Sequence, residues 1–218
     1  MDVKNCANTK VYIADVTGFS LLVYDALNNR SWRVKNKLFE PNPSHRTHTI
    51  AGESFDLMDG IFGMALPKRC DYNDDNRSLY FHAYASDTEN KVSISDLNNA
   101  SLWFQNDSAS PKSFTILGKR SSPSAAEAID SNGNLFFGLD SPSVIACWNT
   151  GSKLNKNNVK YPVRNDATLQ FISGMKVIKN TFGEEELWAV SNRFQVNLCV
   201  LFLILNQKRH HKMLIKKF

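Results

Sequence analysis

The 218-residue sequence lacks the local signatures of common catalytic and cofactor sites. It contains no Gly-x-Ser-x-Gly elbow, no Gly-x-Gly-x-x-Gly fingerprint, no Walker-type phosphate loop and no His-Glu-x-x-His helix. Its four cysteines show no Cys-x-x-Cys spacing, which argues against a zinc ribbon or a thioredoxin-type site. We therefore predict no cofactor, no bound metal and no catalytic residue.

The main part of the chain also lacks an excess of either charge. The net charge is +5, but positions 196–218 hold five of the 26 Lys and Arg and none of the 21 Asp and Glu, so residues 1–195 carry 21 of each. Binding to nucleic acid requires a basic face on the folded part of a protein. We predict no nucleic-acid partner.

No apolar run is long enough to span a membrane. Val196–Leu205 is mostly apolar, but it falls well short of the roughly 20 residues that a spanning helix needs. The stretch Met1–Cys6 has no apolar core of a signal peptide. We predict no membrane partner, and we interpret 196–218 either as an apolar strand with a basic end or as sequence foreign to the domain before it.

The segment Asp59–Ala85 has the pattern of a β-hairpin. Two strand-length apolar runs, Ile61–Leu66 and Leu79–Ala83, flank a loop rich in Asp, Asn, Pro and Arg. The first run is apolar on both alternating faces, which is typical of a strand covered on both sides. Gly60 and Gly63 would allow another backbone or a ligand to come close.

The same form recurs along the chain. Tyr12, Tyr80, Phe136 and Trp188 are equivalent aromatic residues, at spacings of 68, 56 and 52 residues. All-β repeats of this length, with no helical pattern between them, indicate β-propeller blades, and a β-sandwich is the alternative. Three to four blades fit in the chain, as a small closed ring or as part of a larger one.

The connection Asn36–Phe55 is predicted to be a long, irregular surface loop. It contains His45 and His48. A metal site would need ligands beyond these two and His82. We therefore interpret both loop histidines as solvated side chains.

Six segments carry a set of motifs in a fixed order. They are Val11–Asp25, Gly52–Leu66, Leu79–His82, Leu135–Gly138, Cys147–Thr150 and Glu185–Gln195. Together they resemble the insect yellow / major royal jelly protein family. The resemblance implies a six-bladed β-propeller present here as an incomplete ring, a central fragment at residues 1–195 without the first and closing blades, followed by a non-family tail at 196–218.

The resemblance also implies a secreted, non-enzymatic protein that binds a small amine or hydrophobic ligand, or that serves as a structural or storage protein. The alternatives are an enzyme of melanin synthesis acting on dopachrome-like substrates, or a non-functional truncated isoform. The positions to which the family's ligand site carries over are Phe62, Phe171, Ser173, Asn192 and Phe194. Aromatic faces attract a cation and neutral oxygens accept its N–H groups, but no acidic counter-ion is identifiable. The alternative for Phe62 and Phe171 is blade core, and for Asn192 a turn.

Four Asn-x-Ser sequons support secretion. They predict glycosylation at Asn29, Asn76, Asn99 and Asn106. The disulfide candidates are Cys6, Cys70 and Cys147. Cys147 lies in the Cys-Trp-Asn-Thr motif shared with the family, and the resemblance makes it the cysteine most expected to be oxidised.

Overall fold

The computed structural model describes residues 2–3, 8–68, 76–196 and 211–215, and these residues form mainly antiparallel β-sheet. The first sheet contains β1 (Asp2–Val3), β2 (Thr9–Asp15), β3 (Ser20–Asp25) and β4 (Arg30–Lys35). A separate hairpin follows, with β5 (Thr47–Ile50) and β6 (Glu53–Asp56). The second sheet contains β7 (Ile61–Ala65), β8 (Ser78–Ala83), β9 (Thr88–Ser93) and β10 (Thr115–Lys119).

Two further sheets complete the described chain. The third contains β11 (Ser124–Ile129), β12 (Asn134–Leu139), β13 (Val144–Asn149) and β14 (Val159–Arg164). The fourth contains β15 (Phe171–Lys179), β16 (Glu185–Asn192) and β17 (His211–Ile215). In every sheet, strands that follow one another in the chain are hydrogen-bonded neighbours.

The sheets follow one another as the blades of a propeller. β7 packs beside β11, and β11 packs beside β15, so the first strands of three successive sheets lie next to one another. The four equivalent aromatic residues predicted from the repeat lie on β2, β8, β12 and β16, the second strand of each sheet. This confirms the β-propeller prediction, and the described sheets form an arc that does not close into a ring.

The hydrophobic core is divided into layers between adjacent sheets. Phe81 lies in the layer between the first and second sheets, together with Trp32 and Phe39. Its neighbour Tyr80 packs into the layer between the second and third sheets, against the cluster that contains Phe137. Because successive side chains of a strand point to opposite faces, the second sheet is covered on both sides, as the apolar pattern of its hairpin predicted.

Two short helices, α1 (Ile94–Leu97) and α2 (Ala100–Gln105), join β9 to β10. The sequence showed no helical pattern between the repeats, so no helix was predicted here. The strand ends at Ser93 because its side chain accepts a hydrogen bond from Ser95 N and caps α1. None of the helices in the described ranges is long and apolar enough to cross a bilayer.

The predicted irregular loop 36–55 is also more ordered than expected. It contains two 3-10 helices, Lys37–Phe39 and Pro43–His45, each capped by an asparagine side chain, and then β5 and the start of β6. The β5–β6 turn contains Ala51 and Gly52, both at positive φ. Two consecutive left-handed residues are what a two-residue hairpin turn requires.

Gly63 and Gly174 occupy corresponding irregularities on β7 and β15, where the pairing register shifts. Their surroundings differ. A Cβ atom at Gly63 would lie 2.3 Å from Nε2 of His82, whereas a Cβ at Gly174 would have no atom within 4 Å. Only the first glycine is required by close packing.

We expect Gly63→Ala to lower the free energy of unfolding by about 1–3 kcal/mol, because the buried ring of His82 has to move. Gly174→Ala is the matched control and should leave stability unchanged or slightly higher, since it only restricts the unfolded chain. Urea denaturation of the two variants tests this. Equal losses in both would show that contact with His82 does not determine the need for glycine.

Candidate functional site

An aromatic cluster lies beside the start of β7 and the end of β8. Tyr84 is at its centre. The imidazole of His48 stacks on the Tyr84 ring, with centroids 4.2 Å apart and planes inclined by 5°. The Phe62 ring lies 6.1 Å away, and Phe171 presents its edge at 5.8 Å. Phe194 stacks on Phe171 at 4.8 Å. We call Phe55, Phe62, Tyr84, Phe171 and Phe194 the aromatic cluster.

The β5–β6 hairpin closes one side of this cluster. His48 and Phe55 are direct cross-strand partners, and their rings stack at 5.3 Å. The Phe55 ring also meets Phe194 edge-on at 5.8 Å. The interpretation of His48 as a solvated loop residue is therefore wrong. Alternation along β5 turns it inward, and it is 1% exposed.

A buried carboxyl group lies beneath the rings. The Tyr84 hydroxyl donates to Asp140 Oδ2 at 2.8 Å, and His48 Nδ1 lies 3.3 Å from the same oxygen. Nε2 of His48 lies 3.1 Å from the carbonyl oxygen of Leu57, so Nε2 must carry a hydrogen. The contact between Nδ1 and the Asp140 carboxyl then requires one further proton, held by one of the two groups.

Burial favours the protonated form of this carboxyl. It raises the pKa of Asp140, against the opposing effect of the hydrogen bonds from His48 and Tyr84. Burial, and then the negative charge of Asp140, also raise the pKa of Tyr84 far above its usual range. The phenol therefore stays protonated and serves as a fixed hydrogen-bond donor.

A second carboxyl group, Asp59, lies two residues before the start of β7. Its backbone carbonyl accepts a hydrogen bond from Ala85 N at 3.1 Å, which places it beside Tyr84. Desolvation raises the pKa of Asp59, and the nearby His48 opposes this shift. The charge of Asp59 in turn contributes to the raised pKa of Tyr84. The acidic group that the sequence did not reveal is therefore present next to the cluster.

Three of the five predicted ligand-binding residues meet in this cluster, namely Phe62, Phe171 and Phe194. Asn192 is the cross-strand partner of Phe171. Its Oδ1 atom is buried and has no hydrogen-bond partner within the described ranges. Ser173 differs from the others, because its hydroxyl donates to the neighbouring strand, at 3.4 Å from the carbonyl of Val190.

The predicted modification sites lie elsewhere. The four sequon asparagines are all exposed. Cys147 on β13 is a half-buried free thiol whose pKa is raised by burial and then by Asp130. Cys6 and Cys70 lie outside the described residues, so their pairing stays a prediction.

A separate group of four ionisable side chains, which sequence reasoning missed, lies between the second and third sheets. They are His82, Glu89, Arg120 and Glu127, called the buried quartet below. Donor atoms of His82, Glu89 and Glu127 all lie within 4.8 Å of one another, a spacing that could hold a metal ion. Arg120 already provides a positive charge there, 2.6 Å from Glu89 Oε2. The quartet can therefore be charge-balanced by protons alone.

Tyr84→Phe removes the hydroxyl donor and leaves the ring in place. We expect it to lower the free energy of unfolding by about 1.5–3 kcal/mol, because the buried carboxyl of Asp140 loses a hydrogen bond. Tyr24→Phe is the matched control. Its hydroxyl bonds to the exposed Asn29 side chain, so a change within about 0.5 kcal/mol is expected. Chemical denaturation measures both, and equal losses would contradict a structural role for the Asp140 contact.

Comparison with known proteins identifies the family. The family model for Major royal jelly protein matches residues 1–202. Major royal jelly protein 9 of Apis mellifera is 37% identical over 196 residues, covering 86% of this chain and 44% of the relative. Dopaminechrome tautomerase of Drosophila melanogaster is 33% identical over 201 residues, covering 89% of this chain and 42% of the relative. This chain thus spans less than half the length of either protein.

Among solved structures, a streptogramin B lyase aligns with a TM-score of 0.38 and 13% identity, covering 83% of this chain and 58% of that one. That likeness is too distant to support any argument. The match over residues 1–202 and the two relatives confirm the resemblance seen in the ordered motifs. The chain belongs to the major royal jelly protein family.

Proposed function

We propose that this chain forms part of a secreted, non-enzymatic β-propeller that binds a small aromatic amine at the aromatic cluster. The observation that carries the proposal is the convergence of Phe62, Phe171 and Phe194 beside two carboxyl groups, those of Asp59 and Asp140. Residues distant in the sequence thus form one wall with aromatic rings and two carboxyl groups close by.

The chemistry of this wall suits a ring that carries an ammonium group. Aromatic faces attract a cation, more strongly when water is excluded. The free Oδ1 of Asn192 provides a neutral acceptor for an N–H group. Asp59 is half-buried, and a cationic ligand would offset the desolvation of its carboxylate.

Secretion is the second part of the proposal. The four exposed sequons are open to glycan attachment. Cys147 keeps a partly accessible thiol that could pair with a cysteine elsewhere in the full-length protein. A storage or structural role would share these features, and it would need no ligand.

The second candidate function is enzymatic, an isomerase acting on dopachrome-like substrates. Its support is the relative named Dopaminechrome tautomerase, together with the titratable groups at the cluster. Isomerisation moves a proton from one substrate atom to another, and a carboxyl group of raised pKa, such as that of Asp59, suits a general acid–base role.

Isothermal titration of the 218-residue chain with serotonin, dopamine and histamine tests the binding proposal. Phe171→Ala and Asn192→Ala should weaken the affinity for an amine about two- to thirty-fold, the range of one cation–π contact or one hydrogen bond. Phe104→Ala is the control, since Phe104 is 59% exposed on α2 and lies outside the cluster. No heat from any of the three amines, with folded protein, would refute the proposal.

Turnover of dopachrome separates the two candidate functions. The binding proposal predicts that the purified chain leaves the rate of dopachrome loss at the buffer value. The enzymatic alternative predicts turnover above the buffer value that Asp59→Asn abolishes.

A further inference from the structure

The buried quartet connects two sheets that are adjacent in the arc. His82 lies on β8 and Glu89 on β9, both in the second sheet. Glu127 lies on β11 in the third sheet, and Arg120 lies in the connection between the sheets. All four residues are at most 5% exposed. Charged side chains are almost never buried to this degree unless they are paired.

Arg120 is fixed by several hydrogen bonds. One guanidinium nitrogen donates to Glu89 Oε2 at 2.6 Å and to the carbonyl of Thr88 at 2.9 Å. The other donates to the carbonyl of Ser86 at 2.7 Å. The guanidinium is always charged, so it provides one permanent positive charge next to Glu89.

His82 lies between the two carboxyl groups. Its Nδ1 atom is 3.0 Å from Glu89 Oε2 and 3.2 Å from Glu127 Oε2. Neither oxygen of Glu127 meets the geometry of a full hydrogen bond within the described structure, and Oε1 of Glu89 also has no partner. Glu127 is therefore the member of the quartet least stabilised as a carboxylate.

The buried quartet has no net charge at only one number of bound protons. With both glutamates ionised, Arg120 positive and His82 neutral, the net charge is −1. One added proton, on either His82 or Glu127, brings it to zero. Loss of that proton leaves a net negative charge in a fully buried site, which is strongly unfavourable. The interface between the two sheets is therefore neutral only while it holds this proton.

Few other charged groups among the described residues lie near the buried quartet, and some of its neighbours are uncharged. Gly63 on β7 packs against His82, and Phe137 on β12 is the cross-strand partner of Glu127. Lys176 and Lys179 of β15, which packs on β11, are exposed. Asp140 is a further buried carboxyl near the site, and the charge of Arg120 opposes the rise in its pKa. Asp87 lies beside Arg120, whose backbone N–H donates to the Asp87 carbonyl at 2.6 Å.

We propose that the buried quartet is a proton-dependent latch between the second and third sheets, in which one proton shared by His82 and Glu127 holds the sheets together and its release weakens their contact.

The direction of each pKa shift supports this latch. Burial and the neighbouring Glu89 raise the pKa of Glu127 from 4.5 to about 7. Burial and Arg120 oppose protonation of His82, but the two carboxylates outweigh them and raise its pKa. Burial opposes ionisation of Glu89, yet His82 and Arg120 lower its pKa.

The sign of the effect follows from these shifts. For Glu127, the folded chain holds a proton that the unfolded chain has released at pH values between 4.5 and about 7. The resulting stabilisation is present at the acidic end of that range and is lost as the pH rises through it. The raised pKa of His82 extends the loss above its ordinary value of 6.5.

Urea unfolding of the 218-residue chain at pH values from about 5 to about 8 tests the latch. One proton held only by the folded state changes the folding equilibrium constant about tenfold per pH unit. Glu127→Gln supplies a neutral side chain at every pH, so we expect most of this fall to disappear. Glu53→Gln is the matched control, because Glu53 is exposed on β6 and should leave the wild-type profile unchanged.

His82→Gln tests the other group that can hold the proton. It removes the imidazole that can carry the proton, so Glu127 must carry it alone, and the fall in stability with pH should remain, at no more than about tenfold per pH unit. Infrared spectroscopy of the wild-type chain is a second readout that needs no variant. A carboxylic acid carbonyl band should be present near pH 5, decline towards pH 8, and be smaller in any folded Glu127→Gln protein.

Two outcomes would overturn the latch. The first is a pH profile of Glu127→Gln that matches the wild type. The second is a wild-type chain near pH 8 whose stability is restored by zinc or manganese ions and abolished by a chelator, which would make the three donors a metal site. Should Glu127→Gln not fold, an infrared spectrum of the wild type that does not change with pH would refute the proposal.

Discussion

Burial of each sheet between two neighbours is the constraint on which the rest of this structure depends. Side chains of one strand alternate between two core layers, so that Phe81 and Tyr80 stabilise different interfaces. A sheet with two apolar faces cannot be stable alone, since one face would remain in water. Stability therefore arises between blades, as in other repeat architectures. Helix α1 is also joined to the first sheet, because the Trp32 indole donates a hydrogen bond to the carbonyl oxygen of Leu97.

This constraint explains what the sequence could predict. Strand alternation and the recurring aromatic at the second strand are local, periodic signals, and both survive in the structure at Tyr12 and Trp188. The short helices and the 3-10 turns escaped prediction because single side chains such as Ser93 and Asn36 decide them. A capping hydrogen bond gives no periodic pattern. His48 was misassigned for a related reason, because its inward position depends on a hairpin turn at Ala51 and Gly52.

The residues of the candidate site also divide into those that the sequence predicted and those that it did not. Phe62, Phe171 and Phe194 were predicted from family motifs, and the fold brings them together. Their polar partners were not predicted, because the contacts join residues far apart in the chain. Asp140 is 56 positions from Tyr84 and 92 from His48. An isolated aspartate after a strand gives no sequence signal of such contacts, and only the packing of the third sheet against the second creates them.

Polar contacts at the boundary of these two sheets have a different role from the apolar layers around them. Apolar side chains stabilise many relative placements of two sheets, because the hydrophobic effect has no direction. Glu127 on β11 lies at ion-pair distance from His82 on β8, and Asp140, just after β12, accepts a hydrogen bond from Tyr84, just after β8. A displaced sheet would leave these groups buried without partners. The apolar layers thus provide most of the stability, while the polar contacts select one register. Since Tyr84 is at the centre of the aromatic cluster, that register also fixes the shape of the candidate ligand site.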